Sequence, residues 1–301
     1  MREPRARRSE LATPASSEKM VQKSASSGAD LVFLDLEDAC APVAKVGARA
    51  TAVAALTQLD WGRTLRAVRV NGLDTIWCHD DIIEIVTGAG DALDLLIVPK
   101  ARSARDVWWV DVLLTQLENK LGLARRIGLE VLIEESEGLA NAVEIARASD
   151  RLEAIIFGAG DLSASQRARV DGNFDPVSEY PGDFWHYARF QVVTAARAAG
   201  IDAIDAPYPA YQDPAGYRRS ATHASLLGFD GKWAIHPSQI PIANDVFSPT
   251  QQEIDDAMQA IEDYRRSEAE GVGAIGRDGR LVDAAHMRHA ANTLHKASLA
   301  Q

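Results

Sequence analysis

Two acidic residues follow successive apolar runs of the sequence, in positions where a divalent cation could bind. Glu134 ends the run 130–134, and Asp161 lies three residues after the run 154–158. If these runs are adjacent parallel strands, about 4.8 Å separates them, and both carboxylates point into one space. Mg²⁺ prefers carboxylate and water ligands, and burying Glu134 without a cation would be costly. The pattern predicts a Mg²⁺ site, with Mn²⁺ as an alternative metal; in the other interpretation, Asp161 only caps the following helix.

Arg69 is a third candidate, because it follows Ala67 and Val68 inside an apolar run. A buried guanidinium needs a carboxylate partner, and Glu37, at the end of the preceding run, is the candidate. In the functional interpretation, a guanidinium held in this way stabilises a developing oxyanion. In the structural interpretation, Arg69 and Glu37 form an ion pair and nothing more.

Polar residues also stand at the ends of the other apolar runs. Lys100 closes the fourth run after Pro99, and His236 closes the eighth. His236 fits a structural hydrogen bond and a substrate contact equally well. Because α/β barrels carry their active sites at the carboxyl ends of their strands, this distribution indicates one site at one edge of a barrel.

The elements that must position these residues are eight short apolar runs with room for a helix between them. Buried parallel strands have this continuous apolar pattern. Eight strand–helix repeats predict an α/β fold, the closed (β/α)8 or TIM barrel. An open doubly wound sheet is the alternative, because strand order cannot be read from a sequence. The runs are 9–13, 31–36, 65–70, 94–99, 130–134, 154–158, 203–207 and 232–236.

The segment after the eighth run divides into a helix and a glycine-rich tail. Apolar residues at helical spacing from Ile254 to Tyr264 predict a helix that completes the eighth unit. Four glycines between 271 and 279 then indicate an extended arm before a final helix. We therefore assign residues 1–266 to the barrel and 267–301 to an arm and helix that pack on a neighbouring subunit.

Composition argues against several classes of protein. A net charge of −11 argues against nucleic-acid binding, which needs a basic face. No apolar run reaches the ~18 residues of a membrane span, so no membrane partner is expected. Cys40 and Cys78 form no CxxC motif, which is typical of the reducing cytoplasm. Four arginines within the first eight residues are either a solvated tail or phosphate contacts.

Several motifs follow one another along nearly the whole chain. They are Arg8-Ser9-Glu10-Leu11, Asp35-Leu36-Glu37-Asp38, Arg69-Val70-Asn71-Gly72-Leu73-Asp74, Pro99-Lys100, Gln116-Leu117-Glu118, Ile133-Glu134, Gly138-Leu139-Ala140-Asn141, Gly231-Lys232-Trp233-Ala234-Ile235-His236-Pro237-Ser238-Gln239 and Asp278-Gly279-Arg280-Leu281-Val282-Asp283. As an ordered set, they resemble the HpcH/HpaI aldolase/citrate lyase β-subunit family. The first motif, Gln116-Leu117-Glu118 and the last motif look most like those of malyl-CoA lyases.

The resemblance implies a magnesium-dependent carbon–carbon lyase that acts on a short 3-hydroxyacyl-CoA thioester and assembles as a homotrimer or homohexamer. It implies that Glu134 and Asp161 ligate the metal, and that Arg69 binds the substrate and the enolate oxygen. Glu37 joins Arg69 in the catalytic set, and Asp283 is the acid/base, delivered to a neighbouring subunit. The residues expected to contact the substrate are Arg69, Arg8, Lys100, Ala159, Gly160 and His236.

Three segments depart from the family pattern. Glu134-Glu135-Ser136 replaces Glu-Thr-Ala, which is expected to place a second carboxylate beside the metal. Asp205-Ala206-Pro207-Tyr208 replaces Asp-Gly-Pro-Phe, and Pro14-Ala15-Ser16 replaces Pro-Gly-Ser. The added charge and the alanine methyl both bear on which acyl group is accepted.

The expected reaction is a reversible Claisen-type cleavage of a malyl-CoA-like substrate to a 2-oxo acid, such as glyoxylate, and an acyl-CoA. One alternative is a malyl-CoA thioesterase, in which water attacks the thioester at the same site. Another is a citrate lyase β-like subunit, which takes its substrate on an acyl carrier protein. A barrel kept only for binding or regulation is the third. Together, Arg69, Glu134, Asp161 and Asp283 argue against it.

Overall fold

The computed structural model describes residues 4–271, 273–277 and 280–300. In this part of the chain, eight strands pair in parallel and in sequence order to form a closed barrel. The strands are β1 (Ser9–Pro14), β2 (Leu31–Asp35), β3 (Leu65–Arg69), β4 (Leu95–Val98), β5 (Gly128–Ile133), β6 (Leu152–Phe157), β7 (Asp202–Asp205) and β8 (Gly231–Ala234).

The barrel closes through β1, which pairs with both β2 and β8. Ser9 pairs with Lys232 and Leu11 with Ala234, in parallel register. The predicted (β/α)8 barrel is therefore confirmed, and the alternative open sheet is wrong. Every predicted run overlaps its strand, and the ends differ by no more than two residues.

Helices follow each strand and cover the outside of the barrel. In α2, Ala48, Ala52 and Ala55 recur at helical spacing and are buried, which gives the helix one small-residue face. No helix in the described ranges is long and apolar enough to cross a membrane. The α-helices that follow the barrel strands are α1 (Glu18–Ser24), α2 (Lys45–Gln58), α3 (Cys78–Ala89), α4 (Ala104–Leu121), α5 (Ser136–Ala140), α6 (Ala142–Ala146), α7 (Ala159–Ser165), α8 (His186–Ala199), α9 (Pro214–Leu227) and α10 (Ile240–Val246).

Alternate residues of the strands point into the barrel, because side chains of a strand alternate between its two faces. Asp35, Arg69 and Glu134 each stand two residues after an inward-facing core residue, so the same alternation directs them into the barrel's carboxyl end. The apolar core inside the barrel consists of Leu31, Phe33, Ala67, Leu95, Ile97, Leu132, Ala154, Ile156, Ile204 and Trp233.

A second compact unit comprises Asp245–Gln301 together with the first residues of the chain. Within it, helix α11 (Gln251–Ala269) packs against helix α12 (Ala284–Leu299). Because of this packing, α11 groups with the C-terminal segment, and the boundary expected at 266/267 lies at 244/245 in the structure. The short helix α10, and not α11, follows β8 directly.

The glycine-rich segment also differs from the expected extended arm. Strands β9 (Ile275–Arg277) and β10 (Arg280–Val282) pair antiparallel, so their backbone hydrogen bonds are satisfied locally in a hairpin. The expected final helix is present as α12. Asp278 and Gly279, which belong to the tail motif, lie outside the described residues.

Gly231, at the start of β8, is where the backbone of β8 approaches the chain before β1. A Cβ atom there would overlap the carbonyl oxygen of Arg7, which is backbone and cannot rotate away. We expect Gly231→Ala to lower the free energy of unfolding by at least about 2 kcal/mol, since overpacking strains the closure.

The matched control is Gly47→Ala on the exposed face of α2, where nothing lies within 4 Å of the new methyl group. Alanine there should raise the free energy of unfolding by about 0.5 to 1 kcal/mol. Urea unfolding measures the free energy of unfolding of both variants. Similar midpoints for the two variants would show that the close approach at Gly231 is not a constraint.

Candidate active site

The guanidinium of Arg69, the last residue of β3, lies at the carboxyl edge of the barrel between two carboxylates. Its Nε and Nη2 donate to the two oxygens of Asp35 at 2.7 and 2.6 Å. Its Nη1 lies 2.9 Å from Glu37 Oε2. The predicted pair with Glu37 is confirmed, and Asp35 adds a bidentate bond that was not predicted. Such a bond fixes both the position and the plane of the guanidinium.

Asp35 also orders the loop that follows β2. Its carboxylate accepts hydrogen bonds from the backbone N–H groups of Glu37 at 2.9 Å and Ala39 at 3.0 Å. Burial by itself would raise the pKa of Asp35, but the charge and hydrogen bonds of Arg69 outweigh burial and hold this pKa below its ordinary value. Asp35 is therefore ionised, and it positions Glu37 as well as Arg69.

A buried ammonium ties this loop to the next one. Lys45 Nζ donates to the carbonyl oxygens of Leu36 and Glu37 at 2.9 and 2.6 Å, and to Asn71 Oδ1 at 2.6 Å. Asn71 is held from its other side by Asp81, which accepts from its backbone and side-chain nitrogens. Lys45 was not among the predicted site residues, because nothing in its sequence position shows that α2 directs it toward these carbonyls.

Lys100 connects the acids of three strands. Its backbone is in the left-handed region with φ +53°, which is uncommon for a residue with a side chain. Its N–H donates to Glu134 Oε1 at 2.9 Å, and its Nζ donates to Glu37 Oε1 at 2.6 Å and lies 3.8 Å from Asp161 Oδ2. Burial opposes the charge of Lys100, but its bond to Glu37 prevails and raises its pKa.

Glu134 directly follows β5 and is only 3% exposed. Burial raises its pKa to about 8, and the nearby charges of Glu37 and Asp161 add to this shift. A Cβ atom at Gly158 would overlap the Glu134 side chain, so the neighbouring strand needs glycine where this carboxyl group lies. A carboxyl group in this environment keeps its proton near neutral pH unless a cation takes the place of the proton.

Five acidic side chains surround the two cationic side chains of Arg69 and Lys100, because Asp38 also lies 3.5 Å from Arg69 Nη1 and 3.7 Å from Lys100 Nζ. Of the two carboxylates that bind Arg69, Glu37 also accepts the hydrogen bond of Lys100, so the acidic groups here outnumber the cationic ones. Among the described residues, no group of three or more His, Cys, Asp or Glu side chains is arranged as a metal site. The oxygen donors present fit a hard cation held by Glu134 and Asp161 with water in its remaining positions.

The first turn of α7 lies at the same edge, directly after β6. Gly158 is the N-cap residue of α7, and Asp161 stands in the first turn with its side chain 40% exposed. Asp161 is thus not the N-cap residue itself but an acidic residue of the first turn. Ala159 and Gly160 open the helix, and the ring of Phe174 lies 3.0 Å from where a Cβ of Gly160 would be. An added side chain at Gly160 would therefore press on Phe174.

Two expected substrate contacts lie elsewhere or make other bonds. Arg8 precedes β1 at the amino-terminal end of the barrel, where its side chain donates to both oxygens of Asp30 at 2.8 Å. The structure thus does not bring Arg8 to the carboxyl edge. His236 follows β8, accepts the N–H of Ser238 through Nδ1, and stacks on Tyr211 with ring centroids 5.1 Å apart. The structural hydrogen bond expected for His236 is therefore present.

Glu135 does not add a carboxylate to the acids around Glu134, which corrects the expectation from the sequence. Consecutive residues in extended backbone point to opposite sides, and Glu135 has an extended backbone. Its carboxylate accepts from Ser165 Oγ at 2.9 Å and lies 3.6 Å from Arg102 Nη2. Its charge is thus directed to the rim.

Asp283 belongs to the second compact unit, where it is the N-cap of α12. Its Oδ1 accepts from the N–H of Ala285 at 2.9 Å and lies 2.8 Å from His286 Nδ1. The hydrogen bond with His286, helped by the backbone N–H of Ala285, lowers the pKa of Asp283. Its carboxylate is exposed and ionised.

A closed (β/α)8 barrel with acids and a fixed guanidinium at its carboxyl edge is typical of metal-assisted barrel enzymes that stabilise an oxyanion. The chain belongs to the HpcH/HpaI aldolase/citrate lyase family, whose model matches residues 8–237. It is a lyase of that family.

Relatives of known activity match almost the whole chain. The chain is 38% identical to the L-malyl-CoA/β-methylmalyl-CoA lyase of Cereibacter sphaeroides, over 98% of this chain and 96% of the relative. It is 36% identical to the (3S)-malyl-CoA thioesterase of the same species, over 96% and 94%. A crystal structure of CitE from Mycobacterium tuberculosis with magnesium, acetoacetate and coenzyme A is 30% identical, with TM-score 0.75 over 96% of this chain and 97% of that one.

The burial of Glu134 predicts how stability depends on pH in EDTA. Its pKa rises from the ordinary 4.5 to about 8 on folding, so the folded state holds a proton that the unfolded state releases. Stability of the wild type should therefore fall as the pH rises from 4.5 to 8. Glu134→Gln cannot ionise and retains an oxygen for the Lys100 N–H. We expect its melting temperature to exceed that of the wild type by several degrees at pH 8.5.

This difference in melting temperature should shrink toward pH 5.5. The matched control is Glu135→Gln, which removes the neighbouring, partly exposed carboxylate and should keep the wild-type profile. A Glu134→Gln difference that is constant across this range would mean that Glu134 does not carry the buried proton.

Proposed function

We propose that the protein is a magnesium-dependent lyase that cleaves, or forms, the carbon–carbon bond of a short, malyl-CoA-like 3-hydroxyacyl-CoA. The products of cleavage are a 2-oxo acid such as glyoxylate and an acyl-CoA. One observation carries the proposal: a guanidinium fixed by two carboxylates stands beside the buried carboxyl group of Glu134, which would ionise near neutral pH only with a cation beside it. The identity of 38% to a malyl-CoA lyase supports the choice of substrate class.

Glu134 and Asp161 would hold the Mg²⁺, and Mn²⁺ could replace it in the same oxygen set. When bound, the metal supplies Lewis acidity and a template for the substrate carboxylate and hydroxyl group. Burial raises the pKa of Glu134, the charges of Glu37 and Asp161 add to this shift, and a divalent cation would offset both effects. Lys100 holds Glu134 Oε1 through its backbone N–H and thereby orients this carboxylate.

Arg69 is proposed to bind the thioester oxygen on which negative charge develops as the carbon–carbon bond breaks. The bonds to Asp35 and Glu37 hold the guanidinium in place before the reaction, so little reorganisation is needed as the charge forms. Glu37 acts by positioning both Arg69 and the ammonium of Lys100. Lys100 and the opening residues of α7, Ala159 and Gly160, are the proposed substrate contacts; His236 is a further one.

Asp283 is proposed as the acid/base that protonates the enolate carbon, or removes that proton in the synthetic direction. Its carboxylate is exposed and ionised, as a base must be. We propose that it acts in the active site of a neighbouring subunit, so that the enzyme is a homotrimer or homohexamer. This assignment rests on the similarity to malyl-CoA lyases.

A malyl-CoA thioesterase is the second candidate, because a relative with that activity is 36% identical over nearly the whole chain. It would use the same acids, with water attacking the thioester carbonyl carbon. The two candidates differ in products: the thioesterase releases an intact hydroxy acid and free CoA, whereas the lyase releases a 2-oxo acid and an acyl-CoA.

Incubation with a small panel of 3-hydroxyacyl-CoAs and Mg²⁺, followed by mass analysis of products, tests the proposal. We expect a 2-oxo acid and an acyl-CoA from at least one malyl-CoA-like substrate. EDTA should abolish the activity, Mg²⁺ should restore it, and Asp161→Ala should remove it. Free CoA with an intact hydroxy acid would favour the thioesterase, and full activity in EDTA would exclude the metal.

Mixed oligomers test the proposed role of Asp283. Asp283→Ala and Arg69→Ala should each be nearly inactive. When the two variants are co-expressed, some mixed sites should receive both intact residues, so part of the wild-type activity should return. Co-expressed Glu134→Ala and Arg69→Ala, which alter the same barrel site, are the matched control and should stay inactive. If verified mixed oligomers of the first pair are no more active than their parents, the active site is not shared.

A further inference from the structure

Glu10 lies inside the barrel, well below the carboxyl edge, and contacts Trp233, whose ring lies next to the Arg69 guanidinium. It pairs in register with Trp233 across β1 and β8. Its Oε2 accepts the indole Nε1–H of Trp233 at 2.9 Å, and both side chains are buried. An indole N–H buried in a barrel needs such an acceptor, since an unsatisfied donor there is costly.

The same indole forms part of the surface on which the Arg69 guanidinium rests. The Cζ of Arg69 lies 5.4 Å from the centre of the Trp233 ring and 5.9 Å from that of Phe33. The two rings pack on each other with centroids 4.4 Å apart. Asp35 and Glu37 bind the nitrogens of the guanidinium. The rings of Trp233 and Phe33 contact it from the interior of the barrel and restrict its movement in that direction.

A second buried carboxyl group, that of Glu130, lies close enough to Glu10 for the two charges to interact. Burial raises the pKa of Glu10 well above its ordinary value, and burial raises that of Glu130 to about 7. Glu130 accepts from Arg7 Nε at 2.8 Å, which favours the ionised form of Glu130. Glu10 Oε2 accepts the indole N–H of Trp233. Glutamine keeps an amide oxygen that can accept the same bond.

We infer that Glu10 is a positioning residue for the proposed lyase reaction, acting on the Arg69 guanidinium through the Trp233 indole. The inference rests on the proposed function only because kcat of that reaction is used to measure the effect of Glu10. The contact chain runs from Glu10 Oε2 to Trp233 Nε1, and from the indole face to the guanidinium. Removing the acceptor frees the indole to tilt, and the guanidinium then loses part of its support.

The expected effect is on kcat, because Arg69 is proposed to act on charge that develops in the transition state. Small displacements of a catalytic group can cost up to about 10²-fold in rate, so partial loss of support is expected to cost about tenfold. Glu10→Met should lower kcat about tenfold with KM changed less than about twofold. Glu10→Gln should keep the wild-type kcat, since its amide oxygen can still accept the indole N–H of Trp233.

A double-mutant cycle separates positioning from loss of stability. Trp233→Phe should also lower kcat about tenfold, and adding Glu10→Met to it should lower kcat by less than about twofold, since the linking indole is gone. Asp202→Asn is the matched control: Asp202 lies 3.4 Å from Arg7 Nη1 in the same ion cluster, whereas the indole N–H of Trp233 is donated to Glu10. It should leave kcat unchanged at a temperature where all variants are folded.

A crystal structure of Glu10→Met gives a readout that does not depend on the reaction. We expect the indole and the guanidinium to be displaced in that structure, whether or not the wild type cleaves the substrates tested. A wild type that cleaves none of them would contradict the proposed function but not the role of Glu10. Unchanged Arg69 coordinates with wild-type kcat, or additive effects in the cycle, would overturn the role of Glu10. If Glu10→Met does not fold, Trp233→Phe decides: wild-type kcat in that variant would overturn it equally.

Discussion

The bidentate bond between Asp35 and Arg69 is the interaction on which the carboxyl edge of this barrel depends. It brings two groups of opposite charge, on adjacent strands and at the same register position, to the upper end of the apolar interior. The loop after β2 is then ordered by the same carboxylate, which places Glu37 against both Arg69 and Lys100. Without that bond, burial would penalise both the charged carboxylate and the guanidinium.

Because the charges of Asp35 and Arg69 offset each other, Arg69 offsets little of the negative charge of Glu134 and Asp161. Glu134 is buried and has a raised pKa, and Asp161 stands in the first turn of the next helix. The carboxyl edge thus carries a guanidinium held in one position and a buried carboxyl group whose ionised form needs a cation. Family membership and the proposed chemistry agree with this division, since cleavage beside a thioester needs both.

Sequence reasoning predicted the barrel and the edge at which polar residues collect, because continuous apolar runs and strand ends are local patterns. It identified Arg69 and Glu37 but missed the bond to Asp35, although Asp35 follows the buried Phe33 by two residues and so shares its inward face. The grouping of α11 with α12 and the bonding of Arg8 to Asp30 were not predictable, because both depend on contacts between distant segments. The position of Glu135 was predicted wrongly, because consecutive residues in extended backbone point to opposite sides and Glu135 therefore faces away from Glu134.

The most direct measurement of the role of the fixed guanidinium is the kcat of Arg69→Lys with the substrate that the wild type cleaves. Lysine keeps the charge but cannot make the planar, bidentate bond to Asp35. A guanidinium that acts on the developing oxyanion predicts a kcat lower by about 10²-fold or more, with KM little changed. If only KM rises and kcat stays at the wild-type value, Arg69 binds the ground state and does not stabilise the enolate.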